Sequence, residues 1–131
     1  MKKFDNFCKA LSNLREGLQL EEPYSVVERT GIIGLFEICF EQAWKLMKAV
    51  LEEHGRTIDR VGSPKVVIQL AYQSGMINDS EQWLSLLRDR NILAHTYSDE
   101  DSLAVIRTLK TDYEPLFAAL KEEIETRWLS A

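Results

Sequence analysis

The sequence predicts an all-α fold, an up-and-down antiparallel bundle of about five helices around a four-helix core. Three observations lead there. Apolar residues recur at three- and four-residue spacing along nearly the whole chain. Only six Gly and three Pro occur among 131 residues, beside many Leu, Glu, Lys, Ala and Gln. The connections between amphipathic segments are short, which makes consecutive helices antiparallel neighbours. A chain of this length fits one domain, here residues 1–131, with enough apolar surface for a core.

The first helix is expected from Lys3 to Leu20, where Phe4, Phe7, Cys8, Leu11, Leu14 and Leu18 form a stripe. Glu21, Glu22 and Pro23 stop it. The second and longest begins at Ser25, with Glu28 at capping-box spacing, and runs to His54 before Gly55. Its stripe is Ile33, Phe36, Phe40, Ala43, Trp44, Met47 and Leu51. Gly31 and Gly34 weaken its first turns and are expected to permit a bend or a close helix–helix approach. Ser63 and Pro64 start the third helix, which ends at Gly75. Asn78 or Asp79 caps the fourth and Ser98 the fifth. Pro115 inside the fifth predicts a kink or a break.

Composition narrows the function classes. The formal net charge is −5, so no global positive field attracts nucleic acid, and RNA chemistry would need a local basic site. Cys8 and Cys39 are too few and too isolated for a zinc site or a disulfide scaffold, and read as buried thiols. The N-terminus has no continuous apolar stretch of the signal-peptide kind, and no apolar run is long enough to span a bilayer. A cytoplasmic location without membrane contact is therefore expected. No P-loop, dinucleotide fingerprint or nucleotidyltransferase motif occurs, so no cofactor is expected and the chain is not itself a transferase.

The chemistry-bearing stretch is Arg88 to Tyr97, RDRNILAHTY. With Trp83 at zero and about 100° per residue, Arg90 falls at about 340°, between Leu87 at about 40° and Leu93 at about 280°. Arg88 and Asp89 are expected to point away. A guanidinium cannot discharge, so an arginine in an apolar stripe needs a partner or a reason. Histidine, the residue type at position 95, ordinarily titrates near neutral pH, and arginine matches phosphate oxygens with a planar fork of donors. Such a set suits phosphoryl transfer without a metal, the ribose 2′-hydroxyl being the nucleophile. The plainer alternative stays open: a satisfied ion pair at Arg90, a helix C-terminal histidine, and a tyrosine closing the core edge.

Arg90 to Tyr97 also matches the R-x4-H-x-Y signature of HepT-like members of the HEPN superfamily. The second helix, Phe36 to Lys45, resembles that group's second helix. Ser63-Pro64, Ala71-Tyr72, Gly75 and Trp83 fall in similar order, so the resemblance covers roughly residues 4 to 120. It implies a metal-independent endoribonuclease, the toxin of a toxin–antitoxin pair, in which Arg90 and His95 cut RNA. Tyr97 would be the acceptor for adenylylation by a cognate minimal nucleotidyltransferase antitoxin, and Asn91 a polar support within the motif. It also implies a homodimer or a larger oligomer, which brings two Arg–His pairs to one cleft. The rival reading is a non-catalytic nucleotidyltransferase substrate-binding subunit that holds a nucleotide phosphate.

Glu37 and Glu41, one turn apart beside the Phe36/Phe40 stripe, read first as a solvated or interfacial acidic edge rather than a divalent-ion site, and are the candidates to test as cleft partners of Arg90. Trp44 and Trp83 read as core or dimer contacts, Trp128 as either exposed or docked, and His54 as an ordinary helix end. Arg56, Arg60 and Lys65 make a modest basic patch, better read as a solvated loop than as a nucleotide contact.

Overall fold

Helices begin in this chain where a short polar side chain can accept a hydrogen bond from an orphan backbone N–H. In the computed structural model, which describes residues 1–56, 62–95 (His95 by its backbone alone) and 98–129, four helices start this way. Helix α1 spans Lys2–Gly17 and has no side-chain cap. It ends three residues before the expected Leu20, because Leu18 leaves the helix and Gln19 and Leu20 close tight turns onto Glu16 and Gly17. Helix α2, Val26–Glu53, opens with the expected capping box: Glu28 N donates to Ser25 Oγ, and Ser25 N donates to Glu28 Oε1 at 2.8 Å. Helix α3, Pro64–Gln73, is capped by Ser63, and α4, Ser80–His95, by Asp79, whose carboxylate accepts from Gln82 N. Ser98 caps α5, Asp99–Thr108.

Two glycines end helices by the same device. Gly55 (φ 73°) and Gly75 (φ 80°) adopt the left-handed conformation. The next N–H then reaches back five residues, Arg56 to Leu51 O and Met76 to Ala71 O, both at 2.9 Å.

The fifth rod runs from Asp99 to Trp128. A π-turn at Leu109–Tyr113 joins α5 to α6, Glu114–Glu123, and a second at Ile124–Trp128 closes the rod. The kink or break expected at Pro115 takes the form of this first π-turn. A proline ring clashes with the carbonyl four residues earlier, and a wider turn there gives it room without ending the helix. Trp128 is docked: His54 Nε2 donates to its carbonyl at 2.9 Å and meets the indole edge-on.

Helix α2 is the centre of the bundle, packed against α1, α3 and α5, while α6 covers α1 and α4 sits on α3 and α5. Its buried residues include Ile32, Cys39, Leu46 and Val50 besides the expected stripe, of which Trp44 is only half-buried, so it is apolar around most of its circumference. Gly31 and Gly34 do not mark a close approach, since a Cβ added at either would meet nothing within 4 Å; the tighter position is Gly17, against Leu35. Cys39 is fully buried and burial pushes its thiol well up, whereas Cys8 is half-buried. Among the described residues no helix is long and apolar enough to cross a membrane.

The core is aromatic where the first, fourth and fifth rods meet. Phe117 lies between Phe7 at 6.3 Å and Trp83 at 5.6 Å, the latter edge-to-face. Replacing this fully buried ring, Phe117→Ala, should cost about 3–5 kcal/mol of stability, read from the midpoint of urea unfolding at unchanged slope.

Candidate functional site

The site is built where the Arg90 side chain of α4 reaches the polar strip of α2. Trp83, Leu86 and Leu93 of α4 are buried, and Leu84 and Leu87 are half-buried against the core. Arg90 shares that side of the helix but its side chain keeps 31% exposure, lying at the edge of the core. Its guanidinium sits over the Phe40 ring, 5.8 Å from the centroid. Arg90 Nη2 donates to Glu41 Oε2 at 3.2 Å, and Nη1 to Asn91 Oδ1 at 3.3 Å. The arginine thus has an apolar floor, an acidic partner on another helix and a polar neighbour on its own.

Glu41 is the most heavily bonded carboxylate of the described site. Oε2 accepts from Trp44 Nε1 at 3.0 Å as well as from Arg90, and Oε1 pairs with Lys45 Nζ at 3.1 Å. Partial burial pushes the carboxyl up. Hydrogen bonds from Trp44 and Lys45, with the charges of Lys45 and Arg90, outweigh it and hold the group below its ordinary value. Both oxygens are therefore taken by protein donors. Glu37, one turn earlier and half-buried, makes no side-chain hydrogen bond or ion pair among the described residues. No cluster of three or more metal-ligating side chains occurs among them either.

Asp89 corrects an expectation. It does not point away: its carboxylate accepts the Tyr113 hydroxyl at 2.5 Å, and Ser85 lies 2.9 Å from the same hydroxyl. The Tyr113 ring is buried and stacked on Phe36. Burial first, then the hydrogen bond to Asp89, push this phenol up to about 12. Nothing in the periodicity of α4 reveals this pair, because Tyr113 occupies an ordinary core position of the fifth rod. Ala94 is exposed, so the apolar face of α4 runs out of the bundle after Leu93.

Of His95 and Tyr97, only the backbone of His95 is among the described residues. His95 ends α4, its side chain lying outside the described residues, as does Tyr97. Their neighbours Ala94 and Ser98 are exposed. At Asp99, Arg29 Nη2 ties the start of α5 to the first turns of α2 at 2.7 Å. Of the basic patch, Arg56 and Lys65 are exposed and Arg60 lies outside the described residues.

Known proteins share this fold and sequence pattern. The sequence pattern of the family described as nucleotidyltransferase substrate binding protein like matches residues 2–126. A Haemophilus influenzae protein named "Probable ribonuclease HepT" is 34% identical over 86 residues, 62% of this chain. That match spans 59% of the relative's length. A crystal structure from Thermus thermophilus is 35% identical, with a TM-score of 0.75 over 95% of this chain and 99% of that one. A Haemophilus influenzae structure, described as the fold of a substrate binding domain of a nucleotidyltransferase, has a TM-score of 0.79 at 25% identity over 94% and 99%. A toxin–antitoxin structure with AMP-PNP, 13% identical, shares the fold at a TM-score of 0.78 over 96% and 95%.

Removing the charge of Glu41 gives a pH signature. Because its native carboxyl is held below the unfolded value, its contribution is present above the ordinary carboxylate range and fades as pH falls through the lowered value. Glu41→Gln should lose about 1 kcal/mol at neutral pH, and the gap from the parent should close in acid, measured by urea unfolding across pH.

Proposed function

We propose that this chain, which belongs to the nucleotidyltransferase substrate binding protein like family, is a HepT-like, metal-independent endoribonuclease and the toxin partner of a nucleotidyltransferase. The observation that carries the reading is the state of Arg90. It is half-buried, seated on Phe40 and gripped by Glu41, five positions before a histidine at the end of the same helix. A cation so placed has lost part of its hydration and its freedom, which suits it to a phosphate whose charge grows during reaction.

In this reading Arg90 binds the scissile phosphate. One His95 removes the proton of the ribose 2′-hydroxyl, and the oxygen attacks phosphorus. The bond to the 5′-oxygen breaks, and a second His95 returns a proton to that leaving group. The products are a 2′,3′-cyclic phosphate and a 5′-hydroxyl. The two histidines come from two copies of the chain, and Ile38 and Ile92, exposed on the helices that carry Glu41 and Arg90, offer apolar surface for a homodimer. Asn91 steadies the guanidinium from its own helix.

Tyr97 is the adenylylation acceptor. Support comes from its exposed neighbours Ala94 and Ser98, and from a match to a family described by its link to nucleotidyltransferases. An AMP two positions from His95 adds negative charge and bulk where RNA phosphate must enter. The second reading, a non-catalytic subunit that binds a nucleotide for the transferase, is favoured by the net charge of −5 and by the acidic first turn of α5, Asp99 to Asp101.

The test is RNA cleavage by purified protein in EDTA. The parent should leave 2′,3′-cyclic phosphate ends, and Arg90→Ala and His95→Ala should each fall by about 10²–10⁴-fold. A folded, AMP-free parent that cuts nothing overturns the nuclease in favour of the binding subunit. On intact-mass analysis after incubation with the transferase and ATP, the parent should gain one AMP and Tyr97→Phe none; AMP on the variant refutes that acceptor.

A further inference from the structure

We propose that Trp44 is a positioning residue for Arg90, acting through the Glu41 carboxylate; its catalytic consequence rests on the nuclease reading above. One oxygen, Glu41 Oε2, accepts both the Trp44 indole N–H at 3.0 Å and the Arg90 guanidinium at 3.2 Å. The shared atom makes the tryptophan and the arginine two ends of one hydrogen-bonded chain that runs from α2 to α4. The groups on this chain differ in stiffness. A glutamate carboxylate turns about several bonds, and Lys45, on the other oxygen, is a flexible stem with nearly half of its side chain exposed. The indole is rigid, half-buried and packed against the core, and it can only donate.

Trp44 lies three residues after Glu41, one helical turn away, so its N–H reaches the carboxylate from within α2. It therefore fixes the rotamer of Glu41, and Glu41 in turn fixes the plane of the guanidinium over Phe40. The charged groups around this carboxylate are Arg90 from α4, Lys45 on the next turn of α2 and Glu37 on the preceding one. Only the tryptophan contributes a donor that carries no charge and no mobile stem. A tryptophan kept for packing alone would need no donor aimed at the atom that Arg90 uses.

The variant that isolates the effect is Trp44→Phe, which keeps an aromatic ring and removes the N–H. Two measurements on the full-length protein decide. In NMR spectra the Arg90 guanidinium should show restricted rotation in the parent and lose it in Trp44→Phe. Trp128→Phe, whose indole bonds Glu123 instead, should leave it unchanged. In RNA cleavage, Trp44→Phe should lower kcat about tenfold at unchanged KM, and the loss should vanish in a Glu41→Ala background, which has no acceptor for either donor. An Arg90 signal indifferent to Trp44→Phe, or an equal kcat loss with and without Glu41, overturns the proposal. A parent that cuts no RNA, while Trp44→Phe still frees the guanidinium, supports the positioning role and refutes the nuclease reading alone.

Discussion

A single constraint organises this molecule: α2 is 28 residues long and must satisfy α1, α3 and α5 at once. Each neighbour demands an apolar face, so Ile32, Phe36, Cys39, Phe40, Ala43, Leu46, Met47 and Val50 occupy most of its circumference. Polar side chains in its middle are confined to the strip that remains, where Glu37, Glu41 and Lys45 recur at four-residue spacing. A carboxylate on that strip stands at the edge of a hydrophobic core, beside the Phe40 ring. This is the setting in which a guanidinium from another helix is worth binding, because solvent competes for it less than on an open surface.

The fold was legible because capping and periodicity point the same way. Ser25 with Glu28, Ser63 with Pro64, Ser98, and the glycines 55 and 75 begin and end their helices where the sequence places them. What escaped is also physical. A single stripe describes a helix with one buried side, and α2 has several, so Ile32, Cys39, Leu46 and Val50 were hidden from a one-face pattern. Pro115 announces a disturbance but not its form, since a break, a kink and a widened turn all relieve the same clash.

The site was legible to the depth of one helix. Arg90 stood out because a permanent cation interrupted an apolar face, and Glu41 because it flanked a stripe. The Tyr113–Asp89 bond was not legible, for both residues look ordinary on their own helices and meet only through tertiary packing. The role of Trp44 was hidden likewise: large aromatics on apolar faces are read as filling, and the direction of one N–H appears only in three dimensions.

Tyr113 and Glu41 hold α4 at adjacent residues from different directions, Asp89 by the fifth rod and Arg90 by α2. Neighbouring side chains on a helix diverge by about 100°, so two such tethers resist both axial rotation and sliding, which one alone would permit. They lie about 8–9 Å short of His95 along the axis, at roughly 1.5 Å per residue. Thermal wobble about an anchor grows with distance from it. A lever this short limits the wobble that α4 passes to the backbone of His95, even though Ala94 just before it and Ser98 at the start of α5 are exposed.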